Sequence, residues 1–220
     1  MKKTKILTIA NRKGGAGKST CAAHIALEAV RNNLKTILID LDPQKTLELW
    51  WKKRDEENPY LTDTDPSKLE EIIKNLNKHN FDLCIIDTPG DTSLNATAGL
   101  QVADCVLIPS KPTAPDLQAI GRTIATIKNL KKPCIFVITQ AVARSKLAMQ
   151  GAAVLSEFGM VAPTTIGNRV AYANAMNAGT SAAAEDKAAM EEMNQIWSFI
   201  SSKLFNMERG DEKEKIRFEV

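Results

Sequence analysis

No apolar run in this chain approaches the roughly 18 residues that a membrane-spanning helix requires. The apolar stretch that follows Lys2, Lys3 and Lys5 carries no small-residue cleavage site. A spanning segment and a secretory leader are therefore not expected, and the protein is expected in the cytoplasm. Cysteine is scarce: Cys21, Cys84, Cys105 and Cys134 each sit in apolar surroundings, and no two form a C-x-x-C pair. Such placement favours buried reduced thiols and argues against metal ligation by them. Charge of one sign is also wanting, since 29 Lys and Arg face 26 Asp and Glu for a net charge of +3. There is no global polycation, so any nucleic-acid surface has to be a local patch. No internal repeat is visible.

The chain does have enough apolar material for a full core: 44% of its 220 residues are hydrophobic, and α/β domains of this length commonly stay single. Residues 5–10 form a strand-like run, with Ile6, Leu7 and Ile9, that leads directly into Asn11-Arg12-Lys13-Gly14-Gly15-Ala16-Gly17-Lys18-Ser19-Thr20. Residues 21–30 follow as an alanine-rich helical stretch without Pro or Gly. Strand, glycine-rich loop and helix in that order make a phosphate cradle. Glycines let backbone N–H groups converge on a polyphosphate, and the helix adds its positive N-terminal end. Lys18 reaches the β/γ-phosphates, and Ser19 offers a hydroxyl to Mg²⁺. One position departs from G-x-x-x-x-G-K-[ST]. Arg12 stands where the first glycine belongs, and a second lysine, Lys13, follows it. A plain P-loop has no use for that lysine.

Residues 36–44, ending Asp40-Leu41-Asp42-Pro43-Gln44, and residues 81–90, ending Asp87-Thr88-Pro89-Gly90, are short β-rich runs that finish in carboxylates. Buried parallel strands with acids at their C-terminal ends look like this, and ligands of open α/β sheets sit beyond those ends. Asp87 is the natural Walker-B carboxylate, holding Mg²⁺ through water, with Asp40 and Asp42 beside the same phosphates. Helix and strand signals alternate along the rest of the chain as in a single-domain α/β fold with a doubly wound, mostly parallel sheet and helices on both faces. The pattern predicts helices over 46–56, 116–129, 145–158 and 184–204, and strands at 105–108, 134–139 and 162–166. Asn58-Pro59-Tyr60 ends the first of these helices. Asp65-Pro66-Ser67 opens a further one, with Asp65 or Ser67 as cap and Pro66 in the first turn. In the last helix Met190, Met193, Trp197, Ile200 and Leu204 recur at three or four residues as a core stripe.

Four segments together resemble a known family. They are Lys13-Gly14-Gly15-Ala16-Gly17-Lys18-Ser19-Thr20, Asp40-Leu41-Asp42-Pro43-Gln44, Asp87-Thr88-Pro89-Gly90 and the proline-spaced Pro109-Ser110-Lys111-Pro112-Thr113-Ala114-Pro115-Asp116. The chain resembles the deviant-Walker-A ATPases of the ParA/MinD group, most closely the small ParA-type partition ATPases, over most of residues 5–205. The resemblance implies a P-loop ATPase domain over residues 1–205 and a charged C-terminal tail over 206–220. It implies Mg²⁺-dependent ATP hydrolysis with weak intrinsic turnover, in an ATP-sandwich homodimer where Lys13 crosses to the partner's phosphates and neutralises charge on the transferring group. Carried over residue by residue, ATP is held by Lys13, Gly14, Gly15, Ala16, Gly17, Lys18, Ser19 and Thr20, with Pro112 and Gln140 also on the nucleotide. Ser19, Asp40 and Asp87 serve the metal. Lys13, Lys18 and Asp42 are catalytic, with Asp42 positioning the attacking water. The loop 109–115 is equally a rigid exit from its strand. Adenine is favoured because no Asn-Lys-x-Asp element is present to read guanine; the run Ile138-Thr139-Gln140 leads into Ala141-Val142 instead.

The resemblance also implies partners. The family binds double-stranded nucleoid DNA without sequence preference when ATP-bound. Basic candidates here are Arg144, Lys146, Arg169, Lys187 and Lys203, although the Pro-Arg pair of many relatives is missing around Ile166-Gly167-Asn168-Arg169-Val170. A ParB-type centromere-binding adaptor would stimulate hydrolysis and release the dimer, segregating plasmid or chromosome DNA. The tail mixes acids with bases and has only Ile216, Phe218 and Val220 as apolar members after Met207, so stable membrane association is not expected. The P-loop lies so near the N-terminus that no operator-reading helix-turn-helix domain is expected. The alternative is a ParA/MinD-like ATPase that positions a protein cargo or a membrane-associated machine. A third class, an amide-forming synthetase or an iron–sulfur reductase, is disfavoured for the reductase by Cys84 and Cys105 lying inside apparent strands.

Overall fold

Four apolar runs are buried at every residue: β1 (Lys5–Ile9), β2 (Thr36–Asp40), β4 (Leu83–Asp87) and β5 (Cys105–Ser110). Continuous burial marks parallel strands covered on both faces. The computed structural model describes residues 3–143 and 145–206. It adds β3 (Tyr60–Thr62), β6 (Cys134–Ile138) and β7 (Met160–Val161) to complete a seven-stranded sheet in the order β3-β2-β4-β1-β5-β6-β7. Every neighbouring pair is parallel. The helices are α1 (Lys18–Arg31), α2 (Thr46–Trp51), α3 (Leu69–Lys78), α4 (Leu94–Val102), α5 (Ala114–Asn129), α6 (Lys146–Ser156), α7 (Val170–Ala178) and α8 (Lys187–Leu204).

Successive strand residues point to opposite faces, so each strand feeds two cores. Leu7 and Ile9 of β1 and Leu83 and Ile85 of β4 pack with α1, α2, α7 and α8. Ile6, Cys84 and Ile86 pack instead with Leu69 and Leu76 of α3. Val106, Ile108, Phe136 and Ile138 lie under α5 and α6. Full burial of each such aliphatic side chain contributes about 1.5–3 kcal/mol before conformational entropy is counted. The stripe on α8 holds for Met193, Trp197, Ile200 and Leu204, whereas Met190 is only half-buried.

Several boundaries differ from the sequence expectation. The strand expected at 162–166 is displaced to Met160–Val161, because Pro163 has no N–H to donate to the ladder. Only Ala162 N and Ile166 N reach back, to Phe136 O at 2.8 Å and Ile138 O at 2.8 Å. The helix expected over 46–56 stops at Trp51. Beyond it the backbone of Lys53 closes on Gly179, where a Cβ would meet the Lys53 carbonyl carbon at 2.7 Å. The last helix starts at Lys187, not 184, because the Asp186 side chain accepts from the N–H groups of Ala188 and Ala189. Asp65 is the cap of the turn containing Pro66, accepting from Ser67 N. Strand β3 and helices α4 and α7 carry no clear periodic signal and were not expected. Cys21, Cys84 and Cys105 are buried, Cys134 is partly so, and all four are free thiols.

Candidate functional site

Strand β1 is central, and its register sets the site. Ile9 pairs with Asp87 across β1 and β4, and Asp40 pairs with Asp87 across β2 and β4. Three strand ends therefore finish level beside the loop that leaves β1, at the crevice where doubly wound sheets take ligands. Gly15 (φ 71°) and Gly17 (φ 90°) supply the left-handed turns that let the loop wrap. Arg12, in the place of the pattern's first glycine, is not among the residues of positive φ and donates from Nη2 to Thr126 Oγ1 of α5 at 3.0 Å. The loop is braced from both sides. Asn11 Nδ2 donates to Pro109 O at 2.7 Å, and Lys13 N donates to Asn11 Oδ1 at 3.0 Å. From β6 and its exit, Thr139 Oγ1 donates to Ala16 O and Gln140 Nε2 to Gly15 O, each at 2.9 Å.

Lys18 opens α1 and is buried, with its ammonium close under the loop after β4: a Cβ on Gly90 would lie 3.2 Å from Lys18 Nζ. A side chain there would press on the cation. Asp87 is fully buried, and neither carboxylate oxygen has a hydrogen-bond partner. Burial pushes its carboxyl up to about 7; the Ser19 hydroxyl and Lys18 pull it down, and Asp40 and Asp42 push it up. The Ser19 hydroxyl is thus near enough to act on Asp87 electrostatically, yet not in hydrogen-bonding geometry. Asp40 differs: Oδ1 accepts from Asp42 N and Oδ2 from Glu48 N, each at 3.0 Å. Burial raises its pKa, and those two N–H groups and Lys45 hold it back. Asp42 is half-exposed and accepts from Gln44 N at 2.9 Å.

An unpartnered buried carboxylate beside an ammonium and a serine hydroxyl suits a divalent cation that arrives with phosphate. Among the described residues no three His, Cys, Asp or Glu side chains form a metal cage of their own. That is the donor set Mg²⁺ tolerates, since it keeps waters and takes phosphate oxygens as ligands. When bound with ATP, the ion would neutralise charge on the phosphates, with Ser19, Asp87 and Asp40 as the residues to serve it, Asp40 while its two oxygens also accept backbone N–H groups.

Lys13 does not enter this cradle. Its Nζ lies 3.0 Å from Asp116 Oδ1, with the lysine side chain 37% exposed and the aspartate 6%. On the other side of Gly17 opens a cleft of ≈ 360 Å³, lined by Thr20, Thr139, Gln140, Asn168, Tyr172 and Met176 among others. Its size and polar edge suit a nucleoside. Gln140 is therefore at both the loop and the cleft. Pro112 is in neither place: it is buried under α6, where a Cβ on Gly151 would touch its Cα at 3.4 Å. Asn168, Tyr172 and Met176 come from α7 and the segment before it, which carry no motif. The brace by Asn11, two residues past the end of β1, carried no signal that the sequence reading used.

The basic candidates separate. Arg169, expected among the DNA contacts, is ion-paired within the chain, to Glu192 Oε1 at 2.7 Å and Asp186 Oδ2 at 3.3 Å. Tyr172 Oη joins it on Glu192 at 2.9 Å. Lys146, Lys187 and Lys203 are exposed. Lys187 and Lys203 stand at opposite ends of α8, about 24 Å apart at the helical rise. Arg144 and the tail from 207 lie outside the described residues. Among the described residues no helix is long and apolar enough to cross a membrane.

Comparison with known proteins agrees with this geometry. The family model described as the CobQ/CobB/MinD/ParA nucleotide binding domain (CbiA) matches residues 7–181. Maintenance of carboxysome distribution protein A from Halothiobacillus neapolitanus is 31% identical over 208 residues, covering 86% of this chain and 93% of that protein. Protein ParA from Rhizobium radiobacter is 32% identical over 115 residues, and the match spans 50% of each chain. The solved structure of the septum site-determining protein MinD with Mg-ADP, from Pyrococcus horikoshii, shares the fold. Its TM-score is 0.74 at 18% identity, covering 90% of this chain and 96% of its own. The matched span runs from β1 through the phosphate loop and both aspartate-ended strands to the turn after α7, and the chain belongs to the CobQ/CobB/MinD/ParA nucleotide-binding family, as an ATPase of its ParA/MinD branch.

Proposed function

We propose that this protein is a partition-type ATPase whose two protomers close on Mg²⁺-ATP, whose closed dimer binds double-stranded DNA without sequence preference, and which a ParB-type centromere-binding adaptor releases by stimulating hydrolysis. Plasmid or chromosome DNA would be segregated by that cycle, on the nucleoid in the cytoplasm. The observation that carries it is the division of labour between two lysines on one loop. Lys18 is buried under Gly90 at the protomer's own phosphate cradle, whereas Lys13 stands half-exposed at the rim. A loop that needs one cation for its own nucleotide and holds a second at the surface suits a dimer in which each protomer completes the other's site. In that arrangement Lys13 and Lys18 neutralise the transferring phosphoryl group, Ser19 and Asp87 hold Mg²⁺, and Asp42, half-exposed beside them, positions water.

The test is fluorescence anisotropy on random duplex DNA with ATP, ADP and no nucleotide. A net charge of +3 and lysines spread along α8 give one protomer a weak patch, so firm binding should require the ATP dimer. A dimer touching on the order of six phosphates should lose affinity with salt at a log–log slope near −5. Equal binding in all three conditions, or none in any, overturns the DNA reading.

A second reading has a specific observation in its favour: the 31% identical relative that covers 86% of this chain is named for carboxysome distribution. The same ATP-driven dimer would then position a protein cargo. Deleting the gene separates the two readings, since lost plasmids or DNA-less cells mark segregation, and misplaced protein bodies with normal DNA inheritance mark cargo positioning.

A further inference from the structure

We propose that Asp116 is a positioning residue acting through Lys13: in the free protomer it latches the loop's second lysine in cis, and this latch opens before the lysine reaches a partner's nucleotide. The inference rests on the trans role of Lys13 proposed above and adds where that lysine waits.

The contact is built rather than incidental. Asp116 lies in the first turn of α5, where the helix end favours a carboxylate. Its side chain is only 6% exposed, with Oδ1 3.0 Å from Lys13 Nζ. Its other oxygen accepts from the Thr113 hydroxyl. Desolvation works against the charged form, but Thr113, Lys13 and Lys111 outweigh it and hold the carboxyl below its ordinary range. The backbone under Lys13 is also tied to the same side of the molecule, through Asn11 to Pro109 O, and the neighbouring Arg12 reaches Thr126 on α5. Helix α5 therefore grips the loop at two adjacent residues.

Moving Lys13 to another protomer takes from a nearly buried carboxylate its ion-pair partner and leaves it the Thr113 hydroxyl and the field of Lys111, so opening the latch costs free energy. A competing site has to carry more negative charge than Asp116 to draw the lysine away, and the phosphates of a partner's bound ATP do. The latch would thus make closure depend on nucleotide, and would favour a triphosphate over a diphosphate.

The experiment compares wild type with Asp116→Asn, which keeps an acceptor for Thr113 and removes the charge that holds Lys13. Dimer formation is followed by multi-angle light scattering against AMP-PNP, and ADP affinity is measured on the monomer. Two nucleotides enter as two latches open, so the AMP-PNP midpoint should fall by the worth of one pair, about two- to fivefold. ADP affinity should stay unchanged. Asp116→Ala should shift the midpoint in the same direction. A midpoint that is unmoved or raised in both variants overturns the latch. So does an equal tightening of ADP, which marks a general change of field. Lys13→Ala separates the two layers: wild-type dimerisation in that variant sinks the trans lysine and the latch together. Lost dimerisation there, with unmoved Asp116 variants, sinks the latch alone.

Discussion

Asp40 and Asp87 are register partners at the ends of adjacent strands, yet their surroundings treat them oppositely. Asp40 accepts two backbone N–H groups at 3.0 Å, and Asp87, fully buried, has no partner on either oxygen. One carboxylate is used by the fold and the other is held in reserve. Asp87→Asn should therefore raise the stability of the metal-free protein by about 1–3 kcal/mol, because a desolvated charge is removed. The same change should lower Mg²⁺-dependent ATP turnover by about 10- to 100-fold. Asp40→Asn should do the reverse to the fold, losing about 1–3 kcal/mol as one N–H is left facing an amide donor. Thermal melts in EDTA and phosphate-release assays measure both; a destabilised Asp87→Asn would contradict the reserved role.

The two lysines of the loop should fail differently. Lys18→Ala should abolish productive ATP binding, read by fluorescent-nucleotide titration, since the buried ammonium is the one beside the cradle. Lys13→Ala should still bind nucleotide as a monomer but neither dimerise with ATP nor hydrolyse it. Full nucleotide affinity in Lys18→Ala would remove the P-loop assignment.

His24 makes the fold sensitive to acid. Its Nδ1 lies 2.9 Å from Thr20 O, which can only accept, so that nitrogen carries the proton, and Nε2 accepts from Ala182 N at 3.1 Å. Both contacts belong to the neutral ring. Burial pushes its pKa down to about 4 from 6.5, with the Thr20 carbonyl opposing and Arg31 adding to the drop. The unfolded chain therefore binds the extra proton first. The stabilisation is complete above about pH 6.5 and is lost as pH falls towards about 4, at up to ~1.4 kcal/mol per pH unit. Urea denaturation across that range should show stability falling more steeply towards acid in wild type than in His24→Gln, the difference between the two being the contribution of the ring.

Arg169 should prove to be a structural residue. Arg169→Ala breaks its pairs with Glu192 and Asp186 and should lower stability by about 1–2 kcal/mol. ATP-dependent DNA affinity of the folded variant should stay at the wild-type level. Replacing Lys187 and Lys203 by alanine should instead weaken DNA binding and flatten its salt dependence. A large affinity loss in Arg169→Ala with an unchanged melting temperature would reverse this assignment.

Much of the fold was legible because its signals are local. The buried runs at β1, β2, β4 and β5, the capped turn at Asp65 and the stripe on α8 follow from patterns a few residues long. Helix α4 was missed because Asn95, Thr97, Gly99 and two alanines leave it no periodic apolar face. Helix α7 is short and stands on contacts with α1 and α2 that only the folded chain supplies. Strand β7 was misplaced because Pro163 breaks an otherwise β-like run.

The phosphate loop, with its two lysines, and the acids closing two strands were determined by sequence alone, because glycine freedom, helix-end polarity and strand-end placement are properties of contiguous residues. Tertiary structure alone decided what each charged group faces. Asp40 and Asp87 look alike in sequence, and register with neighbouring N–H groups gave them different duties. Arg169 became a tether because α8 brings Glu192 to it from 23 residues away. Lys13 found Asp116 because β1 and β5 are neighbours in the sheet. Which charge meets which depends on distances between segments far apart in the chain, and sheet order sets those distances.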